Sequence, residues 1–476
     1  MTEIAKEEPA QKAVFTQGST MRHVLVMTST GAVGLLAIFI VDVINLFYIS
    51  LLGQQELAAA IGYASTIMFF TVSMSIGFSI AATAITAKAI GSGDEDAAKK
   101  NAGATLIFMV SMCVIAVIIL FPLLPFIISL LGATGDTHRL TLEFMQIALV
   151  SYPLMGAGMC LAGLLRAKGD AKRAMYVTLS AGAAALILDP IFIFGFGWGI
   201  HGAAIAILFT RLILTLVGLH GAMIVHKMIA KPDFSWIVKT ARPFMVIAVP
   251  AVLTQIATPI GNAYVTAAIA EFGDDAVAGW AIVGRLMPLA FAAVFSLSGA
   301  VGPILSQNLG AKRLDRVNQA MWDSLIFTLI YTLVVWAILA LSWQQISGIF
   351  SAEGDAKNLI RFFCLFVAGS FLFNGALFVA NAAFNNLGYA FYSTIFNWGR
   401  ATLGIIPFVW VGQQWGPEGV LAGWGLGGIV FGIAAVVVCF RTISTLEGRV
   451  IEEGENPECV PTSNSPFTSG RGASLR

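Results

Sequence analysis

Two aspartates stand where a carboxylate is costly. Asp42 lies in FIVDVINLFYISLLG (39–53) and Asp189 in LILDPIFIFG (186–195), both almost wholly apolar runs. An acid near the middle of a membrane span costs about 2.5–3.5 kcal/mol, so each is a functional candidate before it is a structural one. Two carboxyls sharing one polar cavity compete for a proton, holding it in apolar surroundings and releasing it when wetted or when a cation arrives. That chemistry is a proton relay, and the same pair can also ligate a sodium ion. The structural alternative is an ion pair, for which Arg211 is the basic partner expected for Asp189.

Further polar or aromatic groups fall inside apolar runs. Asn45, Tyr48, Phe144, Arg211, Asn262, Arg285 and Asn374 are the candidates for a substrate pathway. Arg285 and Arg400 serve equally well to cap backbone carbonyls, and His220 and His226 read as interfacial. Five scattered cysteines show no metal-ligand spacing, and no phosphate-binding GxxxxGK[ST] occurs. No cofactor and no metal is expected beyond the coupling ion.

The elements that must position these groups are membrane helices. The 476 residues are 58% hydrophobic and 11% charged, with a mean hydropathy of +0.84; a soluble chain carries about a quarter charged residues. Apolar runs of spanning length recur almost end to end. They place twelve spans at 24–50, 57–84, 103–131, 140–164, 174–196, 202–225, 243–268, 276–305, 322–350, 359–384, 391–412 and 418–441. Lys and Arg crowd the loops after even-numbered spans, among them Lys99, Lys100, Arg166, Lys172, Arg173, Lys231, Lys312 and Arg313. The positive-inside rule then puts both termini in the cytoplasm.

The chain also repeats itself. Leu52 onward answers Phe272 onward, Gly91 falls on Gly310, Gly169 on Gly388 and Trp198 on Trp415, at offsets of 220, 219, 219 and 217. Two copies of a six-span unit must enter the membrane in the same sense, because six is even. The expected fold is all-α and polytopic, with two parallel-repeat lobes around a central cleft. Its parts are an N-terminal tail (1–20), a first lobe (21–226), a linker (227–242), a second lobe (243–444) and a disordered tail (445–476). The repeat equivalents of Asp42 and Asp189 are Asn262 and Ile406, so the acids belong to one lobe only. A need common to both lobes would have kept them in both. Pro190 and Pro407 occupy matching places and predict paired kinks.

VDVINLFYISLLGQQELAA, GLLRAKGDAKRAM, LDPIFIFGFGWGIHGAAIA and GPILSQNLGAKRLDRVNQA together resemble the multidrug and toxic compound extrusion (MATE) family, most of all its bacterial DinF-like branch. The resemblance covers about residues 20–440. It implies a two-lobed antiporter of the inner membrane that exports amphiphilic, often cationic, drugs against protons or sodium. The family's span-1 and span-5 aspartates fall on Asp42 and Asp189. Departures thin the polar network of some relatives: Ala185 stands for an asparagine, Phe144 for a tyrosine, Ile207 for a threonine and Met27 for a proline. The branch with acids in spans 7 and 10 is not matched, since the span-10 place is Asn374. The reading is a monomeric proton-coupled multidrug exporter, its partners small toxic organic molecules and membrane lipids rather than nucleic acid. The alternatives weighed are sodium coupling, a lipid-linked precursor flippase and an intramembrane aspartyl protease. Too few cavity arginines argue against the flippase, and missing glycine motifs against the protease.

Overall fold

The computed structural model describes residues 13–50 and 55–455; within its helices the side chains of 42, 43, 46, 47, 49, 50, 55, 58 and 449–455 lie outside the described set. Among the described residues the chain is helical throughout and has no strand. In hydrocarbon every backbone polar group must be satisfied within its own segment, which selects helices for such apolar runs.

The first lobe comprises α1 (Thr20–Ser50), α2 (Gln55–Gly91), α3 (Glu95–Leu130), α4 (Gly135–Val150), α5 (Tyr152–Lys168), α6 (Ala171–Pro190) and α7 (Gly199–Leu219). The second comprises α8 (Phe234–Ala270), α9 (Asp274–Ala290), α10 (Ala292–Gly310), α11 (Leu314–Ile349), α12 (Gly354–Phe362), α13 (Phe371–Asn386), α14 (Ala390–Gly399), α15 (Ile406–Gly412) and α16 (Gly416–Glu455). Two spans are broken rods: α4 meets α5, and α9 meets α10, at 47°. The stretch 390–448 doubles back at Gly416, whose φ is +81°. There Gly412 lies on Gly419, Gly423 on Phe408 and Gly427 on Gly404, an antiparallel hairpin with no room for a Cβ at the contacts. Close backbone approach through small residues is how helices associate where lipid removes the hydrophobic drive. Counting each bent pair and each arm of that hairpin once, the described residues form the twelve spans expected.

Pro190 and Pro407 flank equivalent breaks. A π-helical turn, Ile191–Gly195, follows Pro190, and another, Arg400–Gly404, precedes Pro407. Each proline lacks an N–H for the helix ladder, so the ladder is reset beside it.

Two boundaries differ from expectation. The linker is shorter than 227–242, because α8 already starts at Phe234, where the Trp236 indole donates to Asn101 Oδ1 at 3.0 Å. The tail is not irregular from 445: α16 runs on to Glu455, through Gly448 and Gly454, with no proline before Pro457. Residues 456–476 lie outside the described residues. The leading segment gives way to α1 at Thr20, and within it Phe15 is buried in one apolar cluster with Leu297, Leu305 and Leu314 of the second lobe.

The two lobes are closed against each other on the face that carries 13–19 and the loops at 92–94, 169–170 and 311–313. Gly91 sits on the Gln307 backbone, Gly310 on that of Lys88, Gly77 on Val252 and Gly31 on Ser296. Toward the opposite face, Gly62 of α2 and Gly284 of α9 have no atom within 4 Å of where a side chain would begin.

Candidate functional site

α1 and α6 run parallel through the first lobe, and their contacts set the register. Gly34 lies against Thr178, and Gly182 against Val41 and Ala37. The 34–178 pair, extended along both helices, puts Asn45 level with Asp189. Asp42 is then one turn nearer the closed face, about 4.5 Å along the axis. The backbone of Asp42 is helical; its side chain lies outside the described residues.

Asp189 is 3% exposed. The Asn45 side chain faces its carboxyl, whose second oxygen, Oδ2, is buried with no partner among the described residues. Asn45 Oδ1 is buried and unpartnered in the same way. Unsatisfied buried acceptors are rare because each forfeits its hydration, so this pair of oxygens is poised to receive a proton or a cation. Tyr48, one turn beyond Asn45, packs edge-on against Phe194 at 6.1 Å between centroids and closes the apolar end of the site.

Arg211 does not neutralise Asp189. Its guanidinium donates to Ser151 Oγ at 2.8 Å and to the Ala148 carbonyl at 2.9 Å, tying α7 to the α4–α5 break. The cause is register. Gly202 packs on Phe192, which sets Arg211 beside residue 183, six residues or about 9 Å below Asp189. Serving broken helix ends is a common use for a buried arginine, whose donors match freed carbonyls.

The remaining candidates do not converge on the acid. Phe144 is buried in the first lobe's core with Met145 and Tyr152, and Asn374 is buried under Gly428 of α16. Arg285 is exposed on α9. Asn262, the repeat equivalent of Asp42, is half-buried, with Oδ1 unpartnered among the described residues. Arg400, read as a capping group, donates to Thr258 Oγ1 at 2.8 Å. His226 is held at the loop by Asp170 Oδ2 at 2.8 Å. Among the described residues no cluster of His, Cys, Asp and Glu has a metal-holding arrangement.

The MatE family model matches the chain twice, over residues 32–191 and 250–411. The two matches start 218 and end 220 residues apart, the spacing of the internal motifs. The chain is 29% identical over 437 residues to a FAD transporter of Shewanella oneidensis, covering 88% of this chain and 94% of the relative. It is 24% identical over 374 residues to the multidrug export protein MepA of Staphylococcus aureus, covering 76% and 81%. The crystal structure of a mutant of the Vibrio cholerae MATE transporter VcmN superposes with a TM-score of 0.85 at 23% identity, over 90% of this chain and 97% of that one. An outward-facing multidrug resistance MATE family transporter of the MOP superfamily gives 0.87 at 20% identity, over 93% and 100%.

Proposed function

Because the chain belongs to the MatE family of membrane transporters, we propose that it is a secondary active exporter of amphiphilic small molecules driven by proton antiport. One observation carries the coupling: a buried carboxyl in the first lobe, Asp189, that no cation neutralises and that keeps one oxygen unpartnered among the described residues. Asp42, one turn away along α1, is the second member of the relay. Proton uptake satisfies the orphaned oxygen and neutralises the cavity; substrate displaces the proton when the lobes open to the far side. The lobes swing between two closures, and the sealed face is the cytoplasmic one in a bacterial inner membrane. The similarity to a multidrug export protein supports the substrate class.

A flavin dinucleotide is the second reading, favoured by the near full-length relative described as a FAD transporter. Both readings are tested in proteoliposomes loaded with a dye-like cationic drug or with FAD, under separately imposed pH and sodium gradients. Export of the drug driven by a pH gradient in sodium-free buffer is expected. Strict dependence on sodium overturns proton coupling, and export of FAD alone replaces the drug reading. Cysteine labelling sets the orientation: residues 93–96 are expected to react from the cytoplasm, and Asp136 and Gln413 from outside.

A further inference from the structure

The chain ahead of the first span is bound by the second lobe. The Phe15 N–H donates to Gln307 Oε1 at 3.0 Å, and its carbonyl accepts from Arg316 Nη2 at 2.9 Å and Asn308 Nδ2 at 3.2 Å. Arg316 also reaches the Gln17 carbonyl at 3.3 Å and is itself oriented by Asn308 Oδ1 at 3.1 Å. Thr20 bonds Asp323. Phe15 is 2% exposed: its ring stands edge-on to His23 of α1 at 5.2 Å between centroids and belongs to an apolar cluster drawn mostly from the second lobe, with Val24, Met27 and Ala171 from the first.

Gln307 faces both ways. The amide that accepts from Phe15 donates, through Nε2, to the Ala167 carbonyl of the first lobe at 2.7 Å. Beside it, Gly169 of the first lobe has its missing side-chain position 3.2 Å from Val14 Cβ. Gly169 is in the left-handed region, φ +92°, so the contact falls where a larger residue is disfavoured twice. One buried side chain therefore joins the leading segment, the second lobe and the first lobe where those lobes meet.

We infer that residues 13–17 form a strap that locks the lobes together on the terminal face, with Gln307 as its clip. Parting the lobes there breaks Gln307 from Ala167 and Val14 from Gly169. It also exposes the pocket that holds Phe15. Buried hydrogen-bonding groups are expensive to leave unmade, so the strap biases the protein toward closure on this face and must loosen in each cycle.

The inference rests on the alternating movement proposed above, and its test separates the two. Spin labels are placed at Lys172→Cys in the first lobe and Gln319→Cys in the second, both exposed, after the native cysteines are replaced. Pulsed distance measurements on the full chain in nanodiscs then read the closed and parted populations. Phe15→Ala, which removes the buried ring and keeps the backbone bonds, is expected to raise the parted fraction at least about tenfold. Gln307→Glu keeps the acceptor for Phe15 but sets an oxygen against the Ala167 carbonyl in place of its donor, and is expected to act in the same direction, with membrane abundance checking that it folds. Two populations that ignore both substitutions overturn the strap and leave the transport reading standing. A single distance under every pH and drug condition overturns both. Should Phe15→Ala fail to fold, Gln307→Glu decides alone.

Discussion

Asn45 and Asp189 meet across the seam between two parallel helices, at the same level, with one oxygen of each buried and unpartnered among the described residues. An amide is a measured partner for a group that must change its charge. It supports the carboxylate by donation and turns its oxygen to the protonated acid, and it never locks either state as an arginine would.

Asp189→Asn keeps size and hydrogen bonding but holds the site neutral. Expression and folding are expected to survive while pH-driven export falls at least about tenfold, the loss of one proton-binding member of a coupled pair. Asp42→Asn is expected to abolish export, and Asn262→Ala, at the equivalent place in the other lobe, to be mild. Efflux measured against membrane abundance checks all three, and normal export by a well-expressed Asp42→Asn protein contradicts the relay.

Arg211 holds the α4–α5 break. Arg211→Ala leaves the Ala148 carbonyl and Ser151 hydroxyl without their donor, and is expected to cost about 1–3 kcal/mol. Thermal stability in detergent falls, whereas the pH dependence of export per folded molecule stays. A shifted pH profile at unchanged stability would move Arg211 into the proton path.

The hairpin of α15 and α16 has no space at Gly427, which lies on the Gly404 backbone. Gly427→Ala must push two helices apart and is expected to destabilise by about 1–3 kcal/mol. Gly62→Ala, inside α2 and facing open space, is the control and is expected to hold or slightly raise the melting temperature.

Asp170 caps α6, accepting from the Arg173 N–H at 3.0 Å and from the Arg173 and His226 side chains. Burial pushes its carboxyl up, but these donors outweigh burial and hold it below the usual carboxylate range. The folded state thus favours the ionised form. The contribution is complete above the unfolded value of about 4 and is lost as pH falls through the lower folded value. Asp170→Asn keeps a capping oxygen but loses the charge that Arg173 and His226 face, and is therefore expected to be less stable than the parent at pH 7 by up to about 1 kcal/mol. The gap should narrow toward pH 3 in thermal melts; a constant gap would show that the charge is irrelevant.

Hydropathy along the chain determined the spans, because lipid forces each apolar run of sufficient length into a helix whatever its neighbours do. The repeated motifs determined the twin lobes, and the cost of a buried carboxylate singled out Asp42 and Asp189. Those are properties of position along one dimension. What the tertiary structure decided is rotation and register. Arg211 is close to Asp189 in sequence pattern, yet the α6–α7 offset carries it about 9 Å away to a broken helix. Asn45, one polar residue among several, became the partner of Asp189 only through the parallel α1–α6 alignment. The leading segment, polar enough to pass for a tail, docks because a pocket in the other lobe, nearly 300 residues on, fits Phe15 and satisfies its backbone. Hydropathy carries no phase between helices; packing supplies it.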